Sequence, residues 1–187
     1  MLFRSGSRGS GTGLVADALC GFRAPAGGSV SVDGLDVRSW SLAALHGQCM
    51  LLRAGDVVAG TVADNVRLER SEVPAAEVQA ALAAVGLADV VRALPQGVGT
   101  PLITGGHPLT GRQRARLLAA RAIVARPRLL VLDELLDGHE GTLDALASAL
   151  LDAPIPWTVV VVTHDRRVAA RCGRVIEVAG TEEPVHA

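Results

Sequence analysis

The chain has 187 residues, 49% of them hydrophobic and 20% charged, and its 19 acidic and 18 basic side chains leave a net charge of −1. That length fits one domain with a real core, and the composition excludes a disordered chain. The charge balance excludes a general nucleic-acid binder, which carries a marked basic excess. Every base is arginine, so any chemistry that depends on a lysine is excluded as well.

In chain order, a glycine- and serine-rich stretch, Gly6 to Gly13, comes first. The segment Gly27 to Asp33 alternates and closes on Asp-Gly, which predicts a strand ending in a turn. Val78, Ala81, Leu82 and Val85 recur at helical spacing, with Pro74 near the start and Gly86 at the end. A third periodic stretch from about Arg112 to Ala125 stops before Pro127. Two unbroken apolar runs, Leu129–Leu132 and Val159–Val162, read as parallel strands buried on both faces. Leu143, Leu146, Ala147 and Leu150 form a helical stripe between them, giving a strand–helix–strand crossover. A last strand is predicted at Arg174 to Val178, followed by a frayed polar tail, Thr181 to Ala187.

Cys20, Cys49 and Cys172 are far apart and form no metal-type spacing, which fits reduced structural thiols. No apolar run approaches the ~18 residues of a spanning helix. Arg4 and Arg8 followed by Asp17 do not make a signal peptide. The pattern predicts a soluble, cytosolic α/β unit without repeats.

Four short motifs carry possible chemistry. Gly6-Ser7-Arg8-Gly9-Ser10-Gly11 fits the loop half of GxxxxGK[ST], in which backbone N–H groups close around phosphates at a helix N-terminus. Thr12 and Gly13 stand where that motif has lysine and a metal-binding hydroxyl. The apolar strand before Asp133-Glu134 ends as a magnesium-holding strand of a P-loop ATPase ends. Leu109-Thr110-Gly111-Arg112-Gln113 opens a basic helix, and Thr163-His164-Asp165 follows the all-valine strand. Singly, each also reads as ordinary structure: a flexible lead-in, a strand end with solvated acids, a helix cap, a turn histidine. Arg112, Arg114, Arg116 and Arg121 read better as a solvated helix face than as a nucleic-acid patch.

Their order is informative. A glycine loop, LTGRQ, a strand ending Asp-Glu and a strand ending Thr-His together resemble the nucleotide-binding domain of ABC transporters, over nearly the whole chain. The stretch LPQGVGTPLITGGHPLTGRQRARLLAARAIVARPRLLVLDE resembles the exporter-type version, in which Leu-Pro-x-Gly and a Gly-Gly turn precede the LSGGQ signature. Gly60-Thr61-Val62-Ala63-Asp64-Asn65-Val66 resembles the exporter stretch that follows the Q-loop. The resemblance implies an α/β, P-loop NTPase-like core with a mainly parallel sheet. Residues 1–187 would form one N-terminally short domain, with a helical subdomain at about 72–125 carrying the signature.

What the resemblance implies for residues is specific. Asp133 would coordinate Mg²⁺, Glu134 would polarise the attacking water, and His164 would be the switch histidine near the γ-phosphate. Gly6, Ser7, Gly9, Ser10, Gly11, Thr12 and Gly13 would face the chain's own ATP. Thr110, Gly111 and Gln113 would face the ATP of a second nucleotide-binding domain. The departures imply a degenerate site. Thr12 cannot match a charge-assisted contact to phosphate, and Gly13 offers no metal ligand. Arg53 replaces the Q-loop glutamine, Arg112 the second signature glycine, and Glu140 the D-loop aspartate.

The adenine-stacking aromatic residue and the strands that carry it would lie upstream of Gly6, so a truncated product or a fragment is expected, with an exposed sheet edge. The expectation is an exporter-like ATP-binding domain that binds ATP and Mg²⁺ weakly and hydrolyses slowly or not at all. It would pair as a heterodimer with a second such domain and sit with a transmembrane domain on the inner face of the cell membrane. The alternative is a non-catalytic scaffold that docks on a transporter without turning over nucleotide. Neither reading involves nucleic acid.

Overall fold

The structure, a computed structural model, describes residues 12–138, 143–152 and 154–176. It runs α1 (Thr12–Leu19), β1 (Ser31–Val32), β2 (Leu35–Asp36), α2 (Leu42–Gln48), β3 (Cys49–Arg53), β4 (Gly60–Thr61) and α3 (Val62–Arg67). It continues with α4 (Ala75–Ala84), α5 (Ala88–Arg92), β5 (Pro101–Leu102), α6 (Gly111–Ala125), β6 (Leu129–Asp133), α7 (Leu143–Ala147), β7 (Thr158–Val162) and α8 (Arg166–Ala170).

The centre is a parallel sheet in the order β3-β6-β7. Its register sets Arg53 beside Asp133 and Asp133 beside Val162, so the carboxyl ends of the three strands finish level. Leu130, Leu132 and Val161 pack on one side with Leu82 of α4 and Leu117 and Leu118 of α6. Val131, Val160 and Val162 pack on the other with Ala16, Cys20 and Leu45. Both faces are covered, which is why the two strand sequences are unbroken apolar runs rather than alternating ones.

Local signals place most of the helices. Pro74 occupies the N-cap of α4, and Val78, Ala81 and Leu82 turn inward. Thr110 caps α6, and Arg126 ends it in the left-handed region just before Pro127. The β1–β2 hairpin turns on Asp33 and Gly34, both at positive φ (51° and 80°), as a two-residue turn of this kind requires.

Three expectations are corrected. Arg174–Ile176 forms no strand, and the remainder of that predicted strand lies outside the described residues. The crossover helix does not continue regularly, because Ser148–Asp152 winds as a π-helix. Arg121 is not on a solvated face: it is 2% exposed, drawn inward by backbone and side-chain acceptors. Among the described residues, no helix is long and apolar enough to cross a membrane.

Candidate functional site

Asp133 ends β6 and Glu134 follows it, and Thr163 and His164 follow β7, so the parallel pairing alone brings these groups together. The Glu134 amide donates to the Val162 carbonyl at 2.9 Å. Glu134 adopts φ 55°, a conformation that a non-glycine residue keeps only where its surroundings enforce it. Its Oε1 lies 2.9 Å from His164 Nε2. With Nε2 facing a carboxylate, the ring's Nδ1 is left buried and without a partner among the described residues.

Asp137, which the sequence reading did not single out, fixes this corner. Its Oδ1 accepts from the Thr163 hydroxyl, and its Oδ2 accepts from the His164 amide at 2.9 Å. The one available signal was its place three residues beyond Glu134, where the turn after β6 returns.

Asp133 has a different neighbour. Arg53, at the end of β3, donates from Nε to Asp133 Oδ2 at 2.8 Å and from Nη2 to Asp17 Oδ1 at 2.8 Å. A longer contact, 3.5 Å, runs from Nη2 to the Gly13 carbonyl. The Asp133, Asp17 and Arg53 side chains are 11%, 24% and 38% exposed. Burial works against the Arg53 charge, but the hydrogen bonds to Asp17 and Asp133 prevail and hold its pKa above the ordinary arginine value. The sequence marked Arg53 as a replacement; its clamp on two aspartates was not readable there.

Behind Arg53 stands a buried polar network. The Arg53 amide donates to Asp56 Oδ2 at 2.7 Å. From α6, Arg121 Nη1 donates to the Asp56 carbonyl at 2.9 Å, Nε to the Asn65 carbonyl at 2.7 Å, and Nη2 to Asn65 Oδ1 at 3.0 Å. Burial lowers the Arg121 pKa to about 10 against the opposing pull of Asp56. Asn65 in turn donates from Nδ2 to the Val58 and Thr61 carbonyls and accepts the Val58 amide. The segment after β3 is thereby tied to the long helix.

The LTGRQ residues form a separate feature at the start of α6. Thr110 Oγ1 accepts from the Gln113 amide at 3.4 Å, and Gln113 Oε1 accepts from the Thr110 amide at 2.8 Å. This is a capping box, and Gly111 and Arg112 are exposed beside it. Both glycines of the turn ahead of it hold φ 85°, and a Cβ on Gly106 would also come within 2.7 Å of Arg114 Cδ. Among the described residues, no hydrogen bond or ion pair joins Thr110, Gly111 or Gln113 to Asp133, Glu134 or His164. The predicted site residues therefore fall into two groups among the described residues, one at the sheet's carboxyl end and one at the helix start.

Of the predicted phosphate loop, Gly6, Ser7, Gly9, Ser10 and Gly11 lie outside the described residues, as does Glu140. Thr12 opens α1. A Cβ on Gly13 would stand 3.7 Å from Asp133 Oδ2, so this residue sits where a side-chain hydroxyl would meet the acid. A helix start beside a guanidinium fits phosphate oxygens. It does not fit Mg²⁺, which needs oxygen ligands at about 2.1 Å. Gly13 supplies no side-chain oxygen, its carbonyl faces Arg53 Nη2, and Arg53 already occupies Asp133 Oδ2 with a positive charge. No group of three or more potential metal ligands occurs among the described residues.

The comparisons with known proteins agree with this architecture. The ABC transporter family profile matches residues 2–137. The chain is 34% identical over 188 residues to the ATP-dependent lipid A-core flippase of Paraburkholderia xenovorans (strain LB400), covering 95% of this chain and 31% of the flippase. It is 34% identical over 184 residues to the ABC multidrug transporter MDR2 of Trichophyton rubrum (strain ATCC MYA-4607 / CBS 118892), covering 94% of this chain and 13% of that protein. It thus spans a third or less of these relatives. A solved bacterial Atm1-family ABC exporter with ATP bound shares the fold, with a TM-score of 0.85 at 24% identity, covering 95% of this chain and 32% of the exporter chain. Family profile, curated relatives and fold converge, and the chain belongs to the ABC transporter family.

Proposed function

We propose that the chain serves an exporter as an ATP-binding domain whose own nucleotide site is degenerate. It binds ATP weakly and turns it over slowly or not at all. It pairs with a second ATP-binding domain and lends Thr110, Gly111 and Gln113 to that partner's nucleotide, while a transmembrane domain holds both at the inner face of the membrane. Residues from about 72 to 125 act as the helical subdomain that carries this signature.

The observation that carries the reading is the Arg53–Asp133 ion pair over a residue 13 that has no hydroxyl. The acid that would bind a metal is already neutralised, and the lysine position holds Thr12. Absence of one preorganised charge donor of this kind costs roughly 10²–10³-fold in rate. Glu134 and His164 remain in contact at 2.9 Å, which supports residual turnover over none.

The test is steady-state ATP hydrolysis by the assembled transporter and by a variant in which this chain carries T12K, G13S and R53Q together. The restored variant is expected to gain on the order of 10²-fold at this site. A wild-type site already turning over at the restored rate would remove the reading. The scaffold alternative draws on the same ion pair and separates at Glu134. There, Glu134→Gln changes transporter turnover if this site is used and leaves it unchanged if the chain only docks.

A further inference from the structure

We propose that this site takes ATP free of divalent metal, with the Arg53 guanidinium fixed in the cation's place. The inference rests on the reading of the chain as a nucleotide-binding domain and adds the form in which nucleotide is bound. Three observations meet at one point. Arg53 spans Asp133 Oδ2 and Asp17 Oδ1 at 2.8 Å each, so one rigid fork joins the acid at the end of β6 to the acid on α1. Gly13 leaves open the space beside Asp133 and contributes no side-chain oxygen to a metal's ligand set. Nη1 of Arg53 has no partner among the described residues, and the side chain is 38% exposed.

These features have a common consequence. A dication at Asp133 competes with the guanidinium for Oδ2 and stands beside it, charge against charge. An anionic oxygen instead finds a donor already in place: the guanidinium, although shared by two carboxylates, keeps its Nη1 N–H groups for a charge-assisted bond. The Arg53 amide bond to Asp56, itself tied to Arg121, anchors the backbone that presents the fork. Arg53 is in this sense a built-in counterion, carried on β3 instead of recruited from solution.

The experiment is calorimetric titration of the full chain with ATP, once in excess EDTA and once in excess magnesium chloride. The wild type is expected to bind at least as tightly in EDTA. Arg53→Gln is expected to bind ATP on the order of tenfold more tightly with magnesium than without, because Asp133 is released. Arg53→Lys keeps a cation and retains indifference to magnesium, and thermal melts establish that each variant is folded. Wild-type binding that requires magnesium would overturn this inference and leave the nucleotide-binding reading standing. So would a folded Arg53→Gln that stays indifferent to magnesium. Absence of ATP binding in both buffers would overturn the nucleotide-binding reading, and this inference with it.

Discussion

Arg121 carries a guanidinium into the core between the segment after β3 and α6, where it is 2% exposed. Its three donors end on the Asn65 carbonyl, Asn65 Oδ1 and the Asp56 carbonyl. Removing the side chain leaves these acceptors short of a partner and leaves a void where a side chain only 2% exposed had stood. Arg121→Ala is therefore expected to lower stability by about 2–4 kcal/mol, read from the denaturation midpoint. Arg121→Lys does not restore it, because a single ammonium cannot reproduce the fork. The same lesson in geometry governs what was legible at this scale. Asp133, Glu134 and His164 stand at the ends of strands whose sequence is self-evident, so their meeting follows from parallel pairing. The Arg53–Asp133 bond joins residues 80 positions apart and depends on the exact pairing of β3 with β6. Nothing in the composition near Arg53 states that register.

Elements announced themselves where they have punctuation. Helix α3 opens with a capping box: Thr61 Oγ1 accepts the Asp64 amide at 3.1 Å, and Asp64 Oδ2 accepts the Thr61 amide at 2.9 Å. These bonds hold the Asp64 carboxyl below its ordinary pKa. A carboxyl lowered in the folded state stabilises fully above the unfolded value and loses that contribution as pH falls below it. Thr61→Ala is expected to cost about 1 kcal/mol at neutral pH. As pH falls below the ordinary aspartate range that cost should shrink as Asp64 protonates, a trend visible in thermal melts across acid pH. Strand β3 lacks such marks. It follows α2 directly, Gln48 to Cys49, with no glycine, proline or turn residue between, and its five residues are too few to set a period. The π-helical Ser148–Asp152 is unreadable for another reason: its apolar stripe is the same as that of a regular helix, and the difference lies only in backbone bonding.

At the scale of the whole molecule, the site at the sheet's carboxyl end and the capping box at the start of α6 are separate, and the proposed pairing gives them different jobs. A signature facing a partner's nucleotide leaves this chain's own ATP binding alone. Thr110→Ala removes the α6 cap and is expected to cost about 1 kcal/mol in the isolated chain. In the paired assembly it should also slow hydrolysis at the partner's site, while titration of ATP into the isolated chain shows no change beyond that of a slightly less stable fold. Thr110→Ser preserves the hydroxyl and should restore both quantities. Arg112 supplies the opposite test, because it is exposed beside Gly111 and stands in the place of a signature glycine. Arg112→Gly removes its bulk from the surface presented to the partner and should raise partner-site turnover. If Thr110→Ala and Arg112→Gly change the chain's own ATP affinity and leave the partner's turnover untouched, the signature does not face a partner's nucleotide, and the pairing is wrong. Opposite signs on partner turnover with unchanged local affinity require a surface that acts across an interface, since neither side chain bonds to Asp133, Glu134 or His164 among the described residues.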